Sequence, residues 1–344
     1  MKRAGRAISE ETAKDSDYLL VDQWRSSHGY VINTFQAWLK GHFSKQGFEI
    51  EFAQRLKRRN TVIGKLRRVD PTGRPLISDV SSMHDFAGCR MIFENLKDLT
   101  EFRSYMHSSA VMRNVDHEIR HASEIDKYNY IEKPKDTGYR GIHDVYRHFP
   151  RGSKRREEKK PWDGLLVEVQ YRTRAQHAWA TAVEISDLLD GEQTKFELDQ
   201  SNRGHFFALA SEIIARQVES LENAYLGVTT KHLRNELQKL ENELGILRRL
   251  KLLKQFEDEE QLQRHNVLNI YRDRTGELTL EILSFSSPTD AIEAASNLEA
   301  NERSLNAVYV RSDNPKQLRS AYRNYFNDPV DFVDMIEEEG NLQS

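Results

Sequence analysis

Lys133-Pro134-Lys135-Asp136-Thr137-Gly138-Tyr139-Arg140-Gly141-Ile142-His143, followed by Val167-Glu168-Val169-Gln170-Tyr171-Arg172-Thr173, places cations, an aromatic ring and a carboxylate in two short segments. The proline and glycines of the first run predict a turn that releases Tyr139, whose ring can then lie flat against a base. Lys135 and His143 flank that ring and suit phosphate. The second run alternates as a strand does, with Glu168, Gln170 and Arg172 on one face and Val167, Val169 and Tyr171 on the other. A polar face over a buried apolar one is the expected site, and the set suits a nucleotide.

Upstream, seven Lys or Arg and no acid lie between Arg55 and Arg68. The alternation that begins at Phe48-Glu-Ile50-Glu-Phe52 and continues through Arg55 and Lys57 marks a strand leading into this basic cluster. Asn60 or Thr61 is then expected to cap a helix with Lys65 in its first turns, near the positive end of the dipole, where phosphate binds readily. Arg55, Lys57 and Lys65 can hold a polyphosphate. Asp85 and Glu168, each near the start of a strand, can supply oxygen ligands to Mg²⁺, an ion that commonly takes one or two protein carboxylates. The plainer reading of these acids is an ion pair with Arg90 or Arg172.

Five motifs run through the region in order: Arg55-Leu-Lys57, Thr61-Val-Ile-Gly-Lys65, Asp85-Phe-Ala-Gly88-Cys-Arg90, Pro134-Lys135-Asp-Thr-Gly138-Tyr139 with His143 beyond it, and Glu168-Val-Gln170-Tyr-Arg172-Thr173. In order and spacing they resemble the synthetase domain of the RelA/SpoT family, the pyrophosphokinases that make guanosine alarmones, over about residues 45 to 190. The resemblance is to a small alarmone synthetase-like protein. It implies an α/β (α+β) fold with a nucleotidyltransferase-like mixed sheet flanked by helices. It further implies that ATP donates its β,γ-pyrophosphate to the 3′-hydroxyl of GDP or GTP while AMP leaves. Arg55, Lys57 and Lys65 would hold ATP, and Asp85 and Glu168 the Mg²⁺, with Glu168 also orienting or deprotonating the hydroxyl. Tyr139 would stack on the acceptor base, and Lys135, His143, Gln170 and Arg172 would complete the acceptor side or brace the loop. The departures from the family pattern fall mostly on that side: Thr137 where asparagine is common, Arg140-Gly141 where a polar residue and serine are common, and Thr61 in place of serine.

Two other functions fit the same residues. A toxic relative would pyrophosphorylate the 3′ end of tRNA, a reading favoured by the basic loop Arg151–Lys160, and a protein that neutralises it would be a partner. A non-catalytic module would keep the face only to bind nucleotide or RNA.

The rest of the chain bounds these readings. Its 344 residues, 38% hydrophobic and 31% charged with a net charge of −3, describe a globular protein with a charged surface. No apolar run reaches membrane-span length, and the basic start is followed by Ser9-Glu10-Glu11, so no secretory signal is read and a cytoplasmic location is expected. Cys89 is the single cysteine, which excludes an internal disulfide and a cysteine-rich zinc site. His117-Glu118-Ile119-Arg120-His121 fits a zinc-protease pattern but lacks an evident third ligand and is read as chance. His84-Asp85 mimics the metal dipeptide of the hydrolase domain in longer family members, but that domain needs further His and Asp ligands spread over many residues, and hydrolysis of alarmone is not expected.

Three domains are expected: residues 1–200 as the synthetase domain with N-terminal helices, 201–264 as a helical connector, and 265–344 as a small α+β domain of unread role. In the first, helices over 16–45 should cover a sheet of strands near 47–57, 88–94, 126–132, 142–149 and 165–172, with helices near 61–68, 78–85, 95–108 and 173–190. In the connector, Phe206, Leu209, Ile213 and Leu221 suggest one amphipathic helix. Leu233, Leu237, Leu240, Leu244 and Leu247 form a heptad seam that packs on the domain or pairs two copies through residues 206–253. In the last domain strands are expected near 267–273, 278–285 and 306–311, with helices near 288–300 and 315–326.

Overall fold

In the computed structural model the first long element is one helix, not several. After α1 (Lys2–Ser9), α2 runs unbroken through 32 residues, Asp15–Gln46. Asp17 accepts from the Lys14 backbone N–H at its start and Gly47 closes it at φ 72°. The structure describes residues 1–344 except 58, 114, 153, 155, 156, 191–201, 253–264, 275–277, 300–303, 312–327 and 338–344. The chain forms two compact units, one of residues 1–129 with 141–173, the other of residues 130–140 with 174–344.

The first unit holds a five-stranded mixed sheet of order β1-β2-β5-β4-β3: β1 (Ile50–Leu56), β2 (Ala87–Phe93), β3 (Glu118–Ile119), β4 (Ile142–Arg147) and β5 (Leu166–Thr173). β2 and β5 run parallel and the other pairs antiparallel. Helices α2, α3 (Arg59–Leu66), α4 (Leu96–His107) and α5 (Ser109–Met112) flank it. One face is apolar: Phe35 of α2 meets Tyr146, and Phe102 of α4 meets Phe93, which stacks on Tyr171. Each such buried side chain contributes roughly 1.5–3 kcal/mol by leaving water. A second cluster of Ile8, Val21, Val62, Leu66, Val80 and Phe86 ties α1, α2 and α3 to the segment before β2.

Three expectations for this unit need correction. Residues 126–132 form turns with a single bridge from Asn129 to Ile142, and the edge strand is β3 instead. The segment 78–85 contains only a 3-10 turn, Val80–Ser82, because Asp79 bonds the Ser81 backbone N–H and hydroxyl and ends the turn locally. Finally, α3 begins at Arg59, so Asn60 and Thr61 lie inside it and Lys65 sits in its last turn, away from the positive end of the dipole.

In the second unit α6 (Arg174–Asp190), α7 (Asn202–Val218), α8 (Thr230–Leu244), α9 (Ile246–Leu252) and α11 (Asp328–Glu337) share one core that includes Trp179, Phe207, Leu237, Leu247 and Phe332. The heptad seam belongs to this core: Leu233 and Leu237 are buried in it and Leu240 and Leu244 pack against it. Gly245, at φ 61°, splits the seam between α8 and α9. α7 is buried almost all round, not amphipathic, and ends before Leu221. A separate antiparallel sheet of order β7-β6-β8 comprises β6 (His265–Arg272), β7 (Leu278–Phe285) and β8 (Ser304–Arg311), packed by α10 (Pro288–Glu299). The expected helix over 315–326 lies outside the described residues. α11 was hidden by its acids: Asp328, Asp331, Asp334 and Glu337 recur every third residue, while Val330, Phe332, Val333 and Ile336 are buried. No described helix is long and apolar enough to cross a membrane.

Candidate active site

Strand register builds the centre of the site. Gly88 on β2 pairs with Arg55 of β1 on one side and Glu168 of β5 on the other, and it contributes no side chain between them. The Arg55 side chain itself lies outside the described residues. Lys57 follows β1 and is fixed by its backbone, whose N–H donates to the Phe86 carbonyl at 2.8 Å and whose carbonyl accepts from Arg25 Nε at 2.6 Å. Its Nζ donates to Asp85 Oδ2 at 2.5 Å, and Lys65 Nζ donates to the same oxygen at 2.9 Å. The apolar cluster beneath α3 and Phe86 therefore sets both cations against one carboxylate.

The other oxygen of Asp85, Oδ1, is buried with no hydrogen-bond partner among the described residues. Burial and the nearby Glu168 charge raise the Asp85 pKa, yet Lys65 and Lys57 outweigh them and leave it below the usual carboxylate range. Arg68, which burial pulls below the ordinary guanidinium range, also feels the field of Asp85. The two acids are in electrostatic contact, Asp85 from the segment just before β2 and Glu168 from the neighbouring β5. An ionised oxygen without a donor, beside a second carboxylate, is a hard-oxygen set that suits Mg²⁺. Among the described residues no cluster of three or more His, Cys, Asp or Glu is arranged to hold a metal, so any ion here rests on this pair.

Glu168 is 5% exposed and closely braced. His143 Nδ1 lies 3.2 Å and His84 Nε2 3.4 Å from its Oε1, and Gln170 Nε2 donates to its Oε2 at 2.6 Å. Arg172 extends the chain toward Gln170 Oε1 at 3.5 Å. Burial alone would push the carboxyl up; His143 first, then His84, hold it well below the usual range. The polar face of β5 is therefore not an open surface: Glu168 and Arg172 are buried and only Gln170 is partly exposed. His84 is a participant that motif reading passed over, since its neighbour Asp85 drew the comparison with a hydrolase dipeptide. Its ring stacks on Tyr128 at 5.8 Å. A half-buried histidine preceding the motif aspartate was the available signal.

The glycine-rich loop belongs to the second unit. Gly138 N donates to the Lys135 carbonyl at 2.7 Å, closing the expected turn, and Gly138 sits at φ 85°. A Cβ there would lie 2.8 Å from Ala208 Cα. Ser211 Oγ donates to the Gly138 carbonyl, and the Arg140 guanidinium is buried against Glu212, Ser211 and Asn223. The departure at Arg140 thus has a local cause, because this loop is pinned to α7 by an ion pair. Lys135 is exposed, with Nζ 4.3 Å from the Tyr130 ring and 5.1 Å from that of Tyr139. Tyr139 is half-buried, edge-on to Tyr130 and Trp179, so part of its ring is packed and part remains open.

The two histidines of the protease-like pattern are structural. The Phe149 N–H donates to His117 Nδ1 at 3.0 Å and the Val145 N–H to His121 Nε2 at 3.1 Å, and neither lies on a helix.

The family described as "Region found in RelA / SpoT proteins" matches residues 54–186 of this chain. Among solved structures, small alarmone synthetase 1 from Bacillus subtilis, bound to its product pppGpp, is 20% identical over 65% of this chain and 97% of its own, with a TM-score of 0.42. A GTP pyrophosphokinase family protein from Streptococcus pneumoniae is 19% identical over 60% of this chain and 92% of its own, with a TM-score of 0.40. No curated protein sequence matches the chain.

Proposed function

We propose that the protein is a pyrophosphokinase that moves the β,γ-pyrophosphoryl group of ATP to the 3′-hydroxyl of GDP or GTP, releasing AMP. The observation that carries this reading is the arrangement of Lys57 and Lys65 on one oxygen of Asp85, with its other oxygen unpartnered among the described residues and Glu168 beside it. Pyrophosphoryl transfer asks for cations on the polyphosphate, a metal to offset charge on the departing group, and a positioned hydroxyl.

In this reading Arg55, Lys57 and Lys65 bind the ATP phosphates, with the lysines turning from Asp85 to substrate. Asp85 and Glu168 would hold Mg²⁺, which supplies charge neutralisation to the polyphosphate. Glu168 accepts a hydrogen bond from the 3′-hydroxyl and takes its proton as the oxygen bonds to the β-phosphorus and the bond from that phosphorus to the α-phosphate oxygen breaks. Because its pKa is depressed, Glu168 is ionised at neutral pH but weakly basic, so orientation is its larger contribution. His143, His84 and Gln170 keep that carboxylate in place. Tyr139 and Lys135 receive the acceptor base and phosphates, a role that rests on the family resemblance.

Purified protein incubated with γ-labelled ATP, Mg²⁺, GDP, GTP and tRNA in one vessel tests this. Label on a guanosine nucleotide is expected. Label on tRNA alone selects the tRNA-modifying reading, and no transferred label overturns catalysis altogether.

A further inference from the structure

A second pocket opens in the first unit, built from residues that the proposed reaction does not use. It is a cleft of about 370 Å³ between α2, the 3-10 turn, the residue following β3, and the facing ends of β4 and β5. That volume falls within the range of small-molecule sites. Arg120 and Arg147 both line it and both are exposed. Among the described residues neither guanidinium meets a carboxylate; Arg120 reaches only the Ser82 carbonyl, at 3.4 Å. Trp24 forms another wall, and its indole Nε1 is buried with no acceptor among the described residues. Met83 adds apolar surface.

The donor balance defines the ligand. The hydroxyls of Ser81 and Ser82 are turned away from this task, since they donate to the Asp79 carboxylate and carbonyl. What remains charged is two guanidinium forks, with no acid among the described lining residues; the other polar ring in the wall, His28, has Nδ1 2.8 Å from the Trp24 carbonyl, and burial lowers its pKa. A carboxylate has two oxygens and is satisfied by one fork, whereas a phosphate presents enough oxygens for both forks together. The volume exceeds what an isolated phosphate ion needs, and Trp24 and Met83 offer a surface for an apolar or aromatic body.

We propose that this cleft is a second binding site, distinct from the Asp85–Glu168 centre, for a small phosphomonoester with an apolar or aromatic body. Arg120 and Arg147 clasp the phosphate, and the organic portion lies along Trp24 and Met83.

The test uses the full-length ¹⁵N-labelled chain and phenyl phosphate as the probe. Four tryptophans give four indole N–H signals, and Trp24→Phe identifies the one from Trp24. Phenyl phosphate is expected to shift the Trp24 signal saturably, with at least tenfold weaker binding in Arg120→Gln/Arg147→Gln. Both arginines are exposed, so the fold should survive, and unchanged signals from Trp38, Trp162 and Trp179 verify it; if those signals move, the single Arg variants decide by the same criterion. Benzoate is expected to bind at least tenfold more weakly than phenyl phosphate. An unmoved Trp24 signal, equal affinity in the arginine variants, or equal affinity for benzoate overturns the proposal.

Discussion

Two aspartates of the same sheet unit show how similar carboxylates acquire different roles. Asp144, on β4, is wholly buried, and both its oxygens are occupied: Arg103 donates from Nε and Nη2 at 3.0–3.3 Å and His107 Nε2 lies at 2.7 Å. Asp85 is partly buried with two lysines on one oxygen and, among the described residues, no hydrogen-bond partner on the other. A saturated carboxylate locks elements together, here α4 to β4. A half-satisfied one keeps a ligand position open, and the stability it forgoes is the mark of a binding site.

The comparison breaks most visibly at Asp144. Asp144→Ala removes the buried partner of Arg103, leaving it only Asp126 and the Ile125 carbonyl, and should cost about 3 kcal/mol, read as a lowered denaturation midpoint. Asp85→Asn should do the reverse: a smaller loss of stability, but a fall of roughly 10²–10³-fold in pyrophosphoryl transfer, comparable to removing one preorganised transition-state contact. If the two substitutions behave alike, the distinction between a structural and a ligand-holding aspartate is lost. Magnesium sharpens it further. At [Mg²⁺] about 100 times its dissociation constant the ion should stabilise the natural protein by about 2.7 kcal/mol and leave Asp85→Asn unchanged, measured as the shift in melting temperature.

Acid provides a gentler probe. His117 is pushed down to about 3 by burial, then by neighbouring His148, so it is neutral in the folded protein while the unfolded chain protonates near 6.5. Its contribution is complete above pH 6.5 and lost as pH falls toward 3, at up to about 1.4 kcal/mol per unit. Asp144 and Glu168, also depressed, add their losses only below the ordinary carboxylate range. A titration of stability should therefore begin to fall near 6.5, and His117→Gln should flatten the slope between 6.5 and 5. The smallest effect expected is at the loop. Gly138→Ala meets both a positive φ and the Ala208 backbone, and should cost about 1–3 kcal/mol and raise the KM for the acceptor more than it lowers kcat.

Much of this was written in the chain. Alternation around Glu168 and the ordered basic and acidic motifs defined the strands and named Lys57, Lys65, Asp85 and Glu168, because backbone period and residue chemistry are local properties. Local reasoning failed where neighbours decided. His143 looked like a phosphate ligand and lies against Glu168, His84 looked incidental and joins it, and the acidic stretch that forms α11 looked like a solvated tail.

The sequence by itself determined which side chains carry charge and at what spacing, and hence the sheet and the chemistry within its reach. Only the tertiary structure decided which oxygen of Asp85 would be left without a donor, how many partners would grip Glu168, and that Arg120 and Arg147 would share a cleft with Trp24. These depend on the desolvation and proximity of groups far apart in the chain, and no periodicity along one strand records them.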